Sequence, residues 1–504
     1  MDDRLRAICD LQVAEAREGA GLHDYDGRIQ DLSPDGVRAG LARLGGPPLA
    51  DPHDEAHVAA FEAALRVFFG ELEMHRRNPI VHLANLDISC YDREYAPKED
   101  REAAKHTHLA AWPDAVDMAI EAMDAVPAPV AQALLGPAQG LAAGLDGSDD
   151  VIRAARDAHR RFVAHLEKAA ELGPPDVAIG GPELARLMGA GEALSVDLGR
   201  LAEQADAERD RLAALLREAC AQIDPDATPA EVIERLLADH PDAGGVLVEA
   251  QEQVEEVLAF TARHELVPYV DGECVVGPAP ESRRWGMAML AWAAPGEPDC
   301  PSFYWVTPPD PSWPAEDVES WLKVFSRTTL PLITIHEVSP GHFAHGRALR
   351  RAPSLVRQVL ISPAFTEGWA HYVEELCVDL GFRAGDPRMV IGMAIEALVR
   401  VTRLAAAIGI HTGAMTVTDA AARFAADAFL AGPAALSEAR RATFDPTYGR
   451  YTWGKLVIRS VQEKARDLWG SGYSHPRFHA ALLRLGAPPL GLAADALSDG
   501  DPSR

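Results

Sequence analysis

Two histidines and two glutamates in the second half of the chain combine side chains that bind divalent metals with side chains that move protons. His336 is followed directly by Glu337, His342 lies six residues after His336, and Glu367 follows 25 residues after His342. Zn²⁺ in catalytic sites takes three protein ligands, commonly histidine and acidic side chains, and leaves a fourth position for water. A glutamate beside the first histidine can accept a proton from that water. These residues therefore predict metal-assisted hydrolysis.

The spacing of the two histidines requires a break in the helix that carries them. On an unbroken α-helix, residues six apart point roughly 120° away from each other, because the helix has about 3.6 residues per turn. Residues 340–341 are Pro-Gly, and neither residue continues a helix easily. We therefore predict a helix over residues 332–338, a loosened turn at 339–341 and a second helix from His342. The alternative is a helix that ends at a Pro-Gly turn and carries two incidental histidines.

A second segment, residues 365–376, is predicted to be a buried helix that carries the third ligand. Glu367, His371 and the pair Glu374 and Glu375 recur at helical spacing and share one face. A polar face of this kind can simply be solvated. Here the neighbouring residues are bulky and apolar, and buried glutamates are costly unless they are paired or bound to a metal. The two segments together favour a metal site.

These motifs resemble those of the bacterial DUF885 family. The patterns H-E-x-x-P-G-H at residues 336–342 and F-x-E-G-W-A-x-Y-x-E at residues 365–374 carry the resemblance, and residues 451–455 and 478–490 add to it. The resemblance extends over residues 303–497 and is loose before them. It implies a multi-helix, metallopeptidase-like architecture, similar to the M32 carboxypeptidases among the gluzincin-like enzymes.

The resemblance also implies roles for individual residues. Carried over by position, it makes His336, His342 and Glu367 the ligands of one Zn²⁺ ion and Glu337 the general base. The chain departs from the family at His345, where a glutamine is frequent. His345 lies one helical turn after His342 and is an alternative ligand, although a position behind the ligands or at the surface is favoured.

Further side chains are candidates for contacts with the substrate. Tyr451 is the leading hydrogen-bond donor to the oxyanion and His411 the second, because such a donor must act beside the metal; a purely packing role for Tyr451 is the alternative. If the substrate ends in a free carboxylate, an arginine should bind it through two parallel hydrogen bonds. Arg403, Arg450 and Arg459 are the candidates for that contact.

The remaining sequence predicts a mainly α scaffold for these residues. Apolar residues recur at helical spacing in most segments, for example over residues 246–263. Thr228 and Glu231 form a capping box, with proline at the first helical position. We divide the chain into a helical N-terminal half, residues 1–265, and a catalytic half, residues 266–504, and expect one compact unit.

A small antiparallel sheet is predicted next to the metal-binding helix. Residues 273–276, 285–293 and 302–307 are short, rich in β-branched or aromatic side chains, and bounded by proline and glycine. We predict that residues 303–305, with Tyr304 at their centre, form an edge strand that binds an extended peptide through its backbone. An ordinary sheet packed on the helices is the alternative.

Composition excludes several classes of partner. The 504 residues carry a formal net charge of −28, which argues against binding to nucleic acid or to anionic membranes. No segment approaches the roughly 18–20 apolar residues of a membrane span, and the polar residues 1–6 are followed by no apolar leader, so a cytoplasmic location is expected. Six scattered cysteines without a C-x-x-C pattern argue against disulfides and a cysteine zinc site. The oligomeric state leaves no signature.

Three functions fit these features. The favoured function is zinc-dependent hydrolysis of peptide bonds in short peptides, of the carboxypeptidase or oligopeptidase kind. The second is hydrolysis of an amide bond in a non-peptide metabolite with the same ligands. The third is a non-catalytic descendant that binds a partner, and the intact Glu337 argues against it. The expected substrate is a peptide or a small amide.

Overall fold

A computed structural model describes residues 1–298 and 300–499 and shows a mainly α-helical protein with one small sheet, which confirms the predicted class. The helices before the sheet are α1 (Asp3–Asp10), α2 (Pro34–Ala42), α3 (Pro52–Leu65), α4 (Met74–Arg77), α5 (Ile80–Leu86), α6 (Lys98–Ala122), α7 (Ala128–Gly140), α8 (Asp150–Leu172), α9 (Gly181–Ala190), α10 (Leu198–Ile223), α11 (Pro229–Leu237) and α12 (Ala243–Arg263). The helices after it are α13 (Ala315–Leu322), α14 (Leu330–Glu337), α15 (His342–Leu349), α16 (Leu355–Val359), α17 (Pro363–Asp379), α18 (Pro387–His411), α19 (Val417–Ala428), α20 (Gly432–Phe444), α21 (Arg450–Trp469), α22 (His475–Leu483) and α23 (Ala496–Asp499).

Helix starts follow the local sequence. The side chain of Thr228 accepts a hydrogen bond from the backbone N–H of Glu231 at 3.3 Å, and the Glu231 carboxylate accepts one from the Thr228 backbone at 2.8 Å, so the predicted capping box opens α11. Ser362 likewise accepts from the Phe365 backbone at 3.0 Å and opens α17. A proline follows Ser362, at a position where its missing N–H costs nothing. This start places Glu367 in the second turn of α17.

The sheet is mixed, so the prediction of an antiparallel sheet is wrong for one of its two pairings. The strands are β1 (Cys274–Pro278), β2 (Ala288–Ala291) and β3 (Ser302–Val306), in the spatial order β1-β3-β2. β2 is antiparallel to β3, whereas β1 is parallel to it, because the chain reverses after β2 and returns between the two earlier strands. β2 contacts α14, which confirms the predicted position of the sheet beside that helix.

The predicted edge strand is also wrong. β3 contains residues 303–305 and is the central strand, so both rows of its backbone groups face neighbouring strands. The Tyr304 side chain is completely buried in the core. A peptide therefore cannot pair with this strand without displacing one of its neighbours.

Buried apolar side chains join helices from distant parts of the chain. The largest hydrophobic cluster includes Leu212 and Val254 from before residue 265 and Leu332 and Phe365 from after it. Residues on both sides of the predicted boundary at residue 265 thus share one core. The division into halves stays a prediction. Helices α6–α8 form a second cluster, and α1–α3 with α16 form a third. Within residues 1–298 and 300–499, no helix has both the length and the apolar character required to cross a bilayer.

Candidate metal centre

The break between the two histidines is confirmed. α14 ends at Glu337 and α15 begins at His342. In the intervening turn the Gly341 backbone N–H donates to the carbonyl oxygen of Ile335 at 3.2 Å. A Cβ atom at Gly341 would lie 1.9 Å from the carbonyl oxygen of His336, so only glycine permits the chain to fold back this closely. The turn brings the second histidine to the same side as the first.

Helix α17 is held against this turn and against α21. The Trp369 indole N–H donates to the carbonyl oxygen of Pro340 at 2.9 Å, which ties α17 to the turn one residue before Gly341. Where α17 packs against α21, a Cβ atom at Gly368 would lie 2.5 Å from the Cα atom of Gly454. The two helices therefore meet backbone to backbone, and this close approach positions Glu367 between the turn and the first residues of α21.

The three predicted ligands meet at one point. The Nε2 atoms of His336 and His342 each lie 3.3 Å from Oε2 of Glu367, and all three donor atoms lie within 4.8 Å of one another. Two ligand atoms bound at about 2.05 Å to a tetrahedral ion are about 3.3 Å apart. Charge-assisted hydrogen bonds are shorter, about 2.7–2.9 Å. The 3.3 Å spacing therefore fits ligands around one ion and is longer than a direct charge-assisted hydrogen bond.

The donor atoms are also free to bind an ion. Oε2 of Glu367 is buried and has no hydrogen-bond partner among the described residues. Burial raises the pKa of this carboxyl, but the nearby His342 and His336 lower it by more. The pKa of Glu367 is therefore well below the usual range, and the group is an anion. Two imidazole nitrogens and one carboxylate oxygen form a donor set suited to Zn²⁺. The residues present therefore fit one ion.

His336 is oriented by a second glutamate on α17. Its Nδ1 atom lies 2.6 Å from Oε1 of Glu374, two turns after Glu367, so the Nδ1–H donates to this carboxylate and Nε2 faces the other ligands. Arg400 contacts the same Oε1 atom at 3.1 Å, and His371 lies 3.4 Å from Oε2. Burial and Arg400 lower the pKa of His336, but the two carboxylates outweigh them and raise it to about 9. The two carboxylates therefore favour positive charge on the His336 ring.

Glu337 is placed as a proton acceptor. It is buried, lines a cavity with His336, and its Oε2 atom has no hydrogen-bond partner among the described residues. Burial raises the pKa of its carboxyl, and the nearby His336 and His342 oppose that rise. A carboxylate with a raised pKa is a better base than one in water. Because Glu337 lines the cavity beside His336 and its Oε2 atom is not engaged by the described residues, its carboxylate is available to a group in the cavity.

The cavity beside these ligands has a volume of about 140 Å³. Tyr451, the first-choice oxyanion donor, lies on its wall: its ring stacks on His336 with the ring centroids 6.1 Å apart. The Tyr451 hydroxyl accepts a hydrogen bond from Nη2 of Arg441 at 3.3 Å. Its own hydrogen is therefore available to a group in the cavity. The position agrees with the prediction, and the catalytic role stays a prediction.

Two predicted histidine candidates lie elsewhere. His411 does not line the cavity, because its Nε2–H donates to the carbonyl oxygen of Ala442 at 2.8 Å between α18 and α20. His345 is buried and donates from Nε2 to the carbonyl oxygen of Gly486 at 3.0 Å, with its ring against Phe365. His345 is outside the group of donor atoms that can share an ion. Its ring packs against α17 through Phe365.

The predicted substrate-binding residues are mostly committed to other contacts. Arg403 lines the cavity but forms a bidentate ion pair with Glu438, in which Nε and Nη2 donate to the two carboxylate oxygens at 2.7 and 2.8 Å. Arg450 pairs with Asp445, and Arg459 with Glu375, and neither lines this cavity. Tyr304 is buried in β3 and does not line it either. Sequence does not reveal the partners of Arg403 and Arg459, because Glu438 and Glu375 are far from them in the chain and only the fold brings them close.

Four residues of the site were not assigned roles from the sequence. The sequence does place Glu374 on the same helix face as Glu367, because the two residues are seven positions apart, which is two helical turns. Arg400 and Glu396 form an ion pair at 2.7 Å within α18 and line the cavity. Their signal was a pair of charges in a helix that is otherwise largely apolar. Arg441 had no signal in the sequence.

The fold and the site define a mainly helical protein with a candidate single-ion metal centre of two histidines and one glutamate. Within that class the chain belongs to the family described as bacterial protein of unknown function (DUF885), whose model matches residues 15–497. This confirms the resemblance found from the motifs and extends it over the N-terminal half. No functionally curated protein matches the chain.

Solved structures share the fold at low sequence identity. A candidate lipoprotein from Colwellia psychrerythraea is 17% identical, with a TM-score of 0.79 over 98% of this chain and 97% of that chain. A candidate lipoprotein of unknown function from Shewanella oneidensis is 19% identical, with a TM-score of 0.74 over 98% and 97%. A structure described as BsuCP is 10% identical with a TM-score of 0.36 over 99% and 98%, from which nothing follows. The likeness to M32 carboxypeptidases stays a prediction.

Proposed function

We propose that this protein is a zinc-dependent hydrolase of peptide bonds in short peptides, built on a metallopeptidase-like helical architecture. The observation that carries the proposal is the 3.3 Å spacing from Glu367 Oε2 to the Nε2 atoms of His336 and His342. That spacing matches two ligands of one tetrahedral ion, and Glu337 lines the cavity beside them. The intact base also argues against a non-catalytic descendant.

Glu337 is the acid and base of the proposed reaction. Zinc held by His336, His342 and Glu367 would polarise the scissile carbonyl and lower the pKa of a bound water to about 7. Glu337 accepts the proton from the attacking water and delivers it to the amine nitrogen as the carbon–nitrogen bond breaks. Its burial supports both steps, because the raised pKa lets the carboxyl hold the proton between them.

Tyr451 is the proposed donor to the oxyanion. Its hydroxyl oxygen accepts from Arg441 at 3.3 Å, so its own O–H can donate to a carbonyl oxygen that gains charge. The stacking of its ring on His336, with the centroids 6.1 Å apart, supports a role beside the ligands. A donor of this kind typically contributes about 10²–10³-fold to kcat.

A second candidate is hydrolysis of an amide bond in a small metabolite. The cavity of about 140 Å³ is lined by the charged residues Glu396, Arg400, Arg403 and Glu438, which favours a small polar substrate over a long peptide. The same ligands and base would perform that reaction. The two candidates differ in the substrate alone.

Metal analysis and turnover of short peptides test the proposal together. We expect one zinc per chain and hydrolysis of di- to tetrapeptides. The Glu337→Gln variant should keep the zinc and lose about 10²–10⁴-fold in kcat, since only the base is removed. Glu463→Gln, an exposed change on α21, is the matched control and should act as the parent does.

Three results would count against the proposal. Iron in place of zinc would change the reaction class, because two histidines and a carboxylate also suit Fe(II) oxygenases. Full activity of Glu337→Gln would remove the base from the mechanism. Turnover of small amides without any peptide hydrolysis would favour the second candidate.

A further inference from the structure

The arginines on the cavity wall differ in how fully carboxylates neutralise them. Arg400 contacts Glu396 at 2.7 Å and Glu374 at 3.1 Å. Arg403 forms the bidentate ion pair with Glu438. Both guanidinium groups are therefore already occupied by fixed anions.

Arg441 lines the same cavity without such a partner. The nearest carboxylate oxygen is Oδ2 of Asp445, 3.6 Å from Nε, and this Nε has no hydrogen-bond partner among the described residues. Asp445 already accepts two hydrogen bonds from Arg450. The two arginines share one carboxylate, so this group carries a net charge of +1. The Arg441 side chain is 13% exposed, and a guanidinium so largely removed from water is costly to leave with unused donors unless an anion binds to it.

Aromatic rings fix the direction of the Arg441 guanidinium. Its carbon lies 4.4 Å from the ring centroid of Tyr448 and 4.9 Å from that of Trp285, within the range of cation–π contacts. These contacts hold the guanidinium plane and leave N–H donors at its edges, apart from the Nη2 hydrogen bond to Tyr451. A guanidinium fixed in this way loses little entropy when it binds a planar ligand.

Arg441 also stands where two cavities meet. It lines the cavity that contains Glu337, and it lines a second cavity of about 430 Å³ with Arg450, Trp285 and Trp453. Its hydrogen bond to Tyr451, whose ring stacks on His336, places it one side chain from the ligands. An anion bound to Arg441 therefore lies close to the bond that the metal site would cleave.

We propose that Arg441 binds a carboxylate of the substrate, so that the protein acts on short peptides or amides with a free carboxylate beside the scissile bond. This inference rests on the proposed hydrolase function and names the substrate class for that site. A carboxylate matches the two parallel donors of a guanidinium. Its single charge balances the single positive charge of the Arg441, Arg450 and Asp445 group, and it would give the cavity an exo-directed preference.

A binding measurement tests Arg441 apart from turnover. N-acetylphenylalanine and its amide, which differ only at the carboxylate, are titrated calorimetrically into zinc-loaded protein. We expect the acid to bind at least tenfold more tightly than the amide. Arg441→Met should remove that difference, and Arg441→Lys, which keeps the charge but not the paired donors, should retain part of it. Arg440→Met, an exposed neighbour on α20, is the matched control and should bind as the parent does.

The outcomes separate this inference from the hydrolase proposal. Equal binding of acid and amide by the parent, or unchanged preference in both folded Arg441 variants, would overturn the carboxylate site. Equal cleavage of peptides with free and amidated C-termini would also overturn it while leaving the hydrolase intact. Arg441-dependent binding of the acid without cleavage of any peptide would instead support the site and reject the hydrolase.

Discussion

The Oε1 atom of Glu374 lies 2.6 Å from Nδ1 of His336, and this contact decides which ring nitrogen faces the other ligands. Because Nδ1 donates its hydrogen to the carboxylate, Nε2 is the ring nitrogen that would bind an ion, with loss of its own proton. Arg400 contacts the same Oε1 atom at 3.1 Å and helps to hold the carboxylate. Glu374, which lies outside the proposed ligand set, thus orients His336, a proposed ligand.

Removing this orienting carboxylate should weaken metal binding. In Glu374→Ala, His336 loses its partner and Arg400 loses one of its two anions, so zinc affinity should fall about 10–100-fold. Glu374→Gln keeps a carbonyl oxygen near Nδ1 and should lose less. Competition with a chelator of known affinity measures both effects. Zinc affinity in Glu374→Ala equal to that of the parent would show that this contact does not prepare the site.

The two histidines of α15 should respond differently to alanine. His342→Ala removes a ligand and should abolish stoichiometric zinc binding. His345→Ala removes a hydrogen bond to the Gly486 carbonyl and leaves a cavity, so it should lower the unfolding midpoint and keep the zinc. Metal content after dialysis and thermal unfolding give the two readouts. Loss of zinc in His345→Ala alone would exchange the roles of these residues.

Gly341 should not tolerate a side chain. In Gly341→Ala the new Cβ would meet the His336 carbonyl at 1.9 Å, so the turn must open and separate the histidines. We expect a loss of zinc affinity together with a lower unfolding midpoint. Gly136→Ala on α7 is the control, since no atom lies within 4 Å of the added Cβ, and it should be neutral or slightly stabilising. A zinc affinity unchanged by Gly341→Ala would show that the turn is more adaptable than its contacts indicate.

Glu192 should make stability depend on pH. Its carboxylate accepts hydrogen bonds from the Ser362 hydroxyl and the Leu490 backbone N–H, each at 2.8 Å, yet burial raises its pKa to about 7. Between the unfolded pKa, about 4.3, and about 7 the folded protein binds the extra proton, so this group's contribution to stability falls as pH rises through that window. The change is about 4 kcal/mol at most, from 1.36 kcal/mol per pKa unit.

Glu192→Gln removes this titration and isolates it from other groups. The unfolding midpoint of the variant, compared with that of the parent, should rise between pH 5 and pH 8. Glu183→Gln, an exposed change on α9, should show a constant difference over the same range. A constant difference in Glu192→Gln as well would mean that the carboxyl is ionised throughout.

Local chemistry made several features predictable from the sequence. The break at residues 339–341, the helical pieces on either side and the capping box at Thr228 depend on neighbours in the chain, and each was confirmed. The types of the candidate ligands could also be identified from the sequence, because few side chains combine metal binding with proton transfer. The cytoplasmic location and the division at residue 265 remain predictions.

Tertiary structure alone decided which of these side chains meet. Glu367 reaches the histidines because α17 packs on the turn and on α21, and those contacts join residues far apart in the chain. The order of the strands and the choice among the arginines have the same origin: Arg403 is occupied by Glu438, whereas Arg441 shares Asp445 with Arg450. A charge's availability depends on every other charge that folding brings near it, and a linear sequence holds the charges but not their distances.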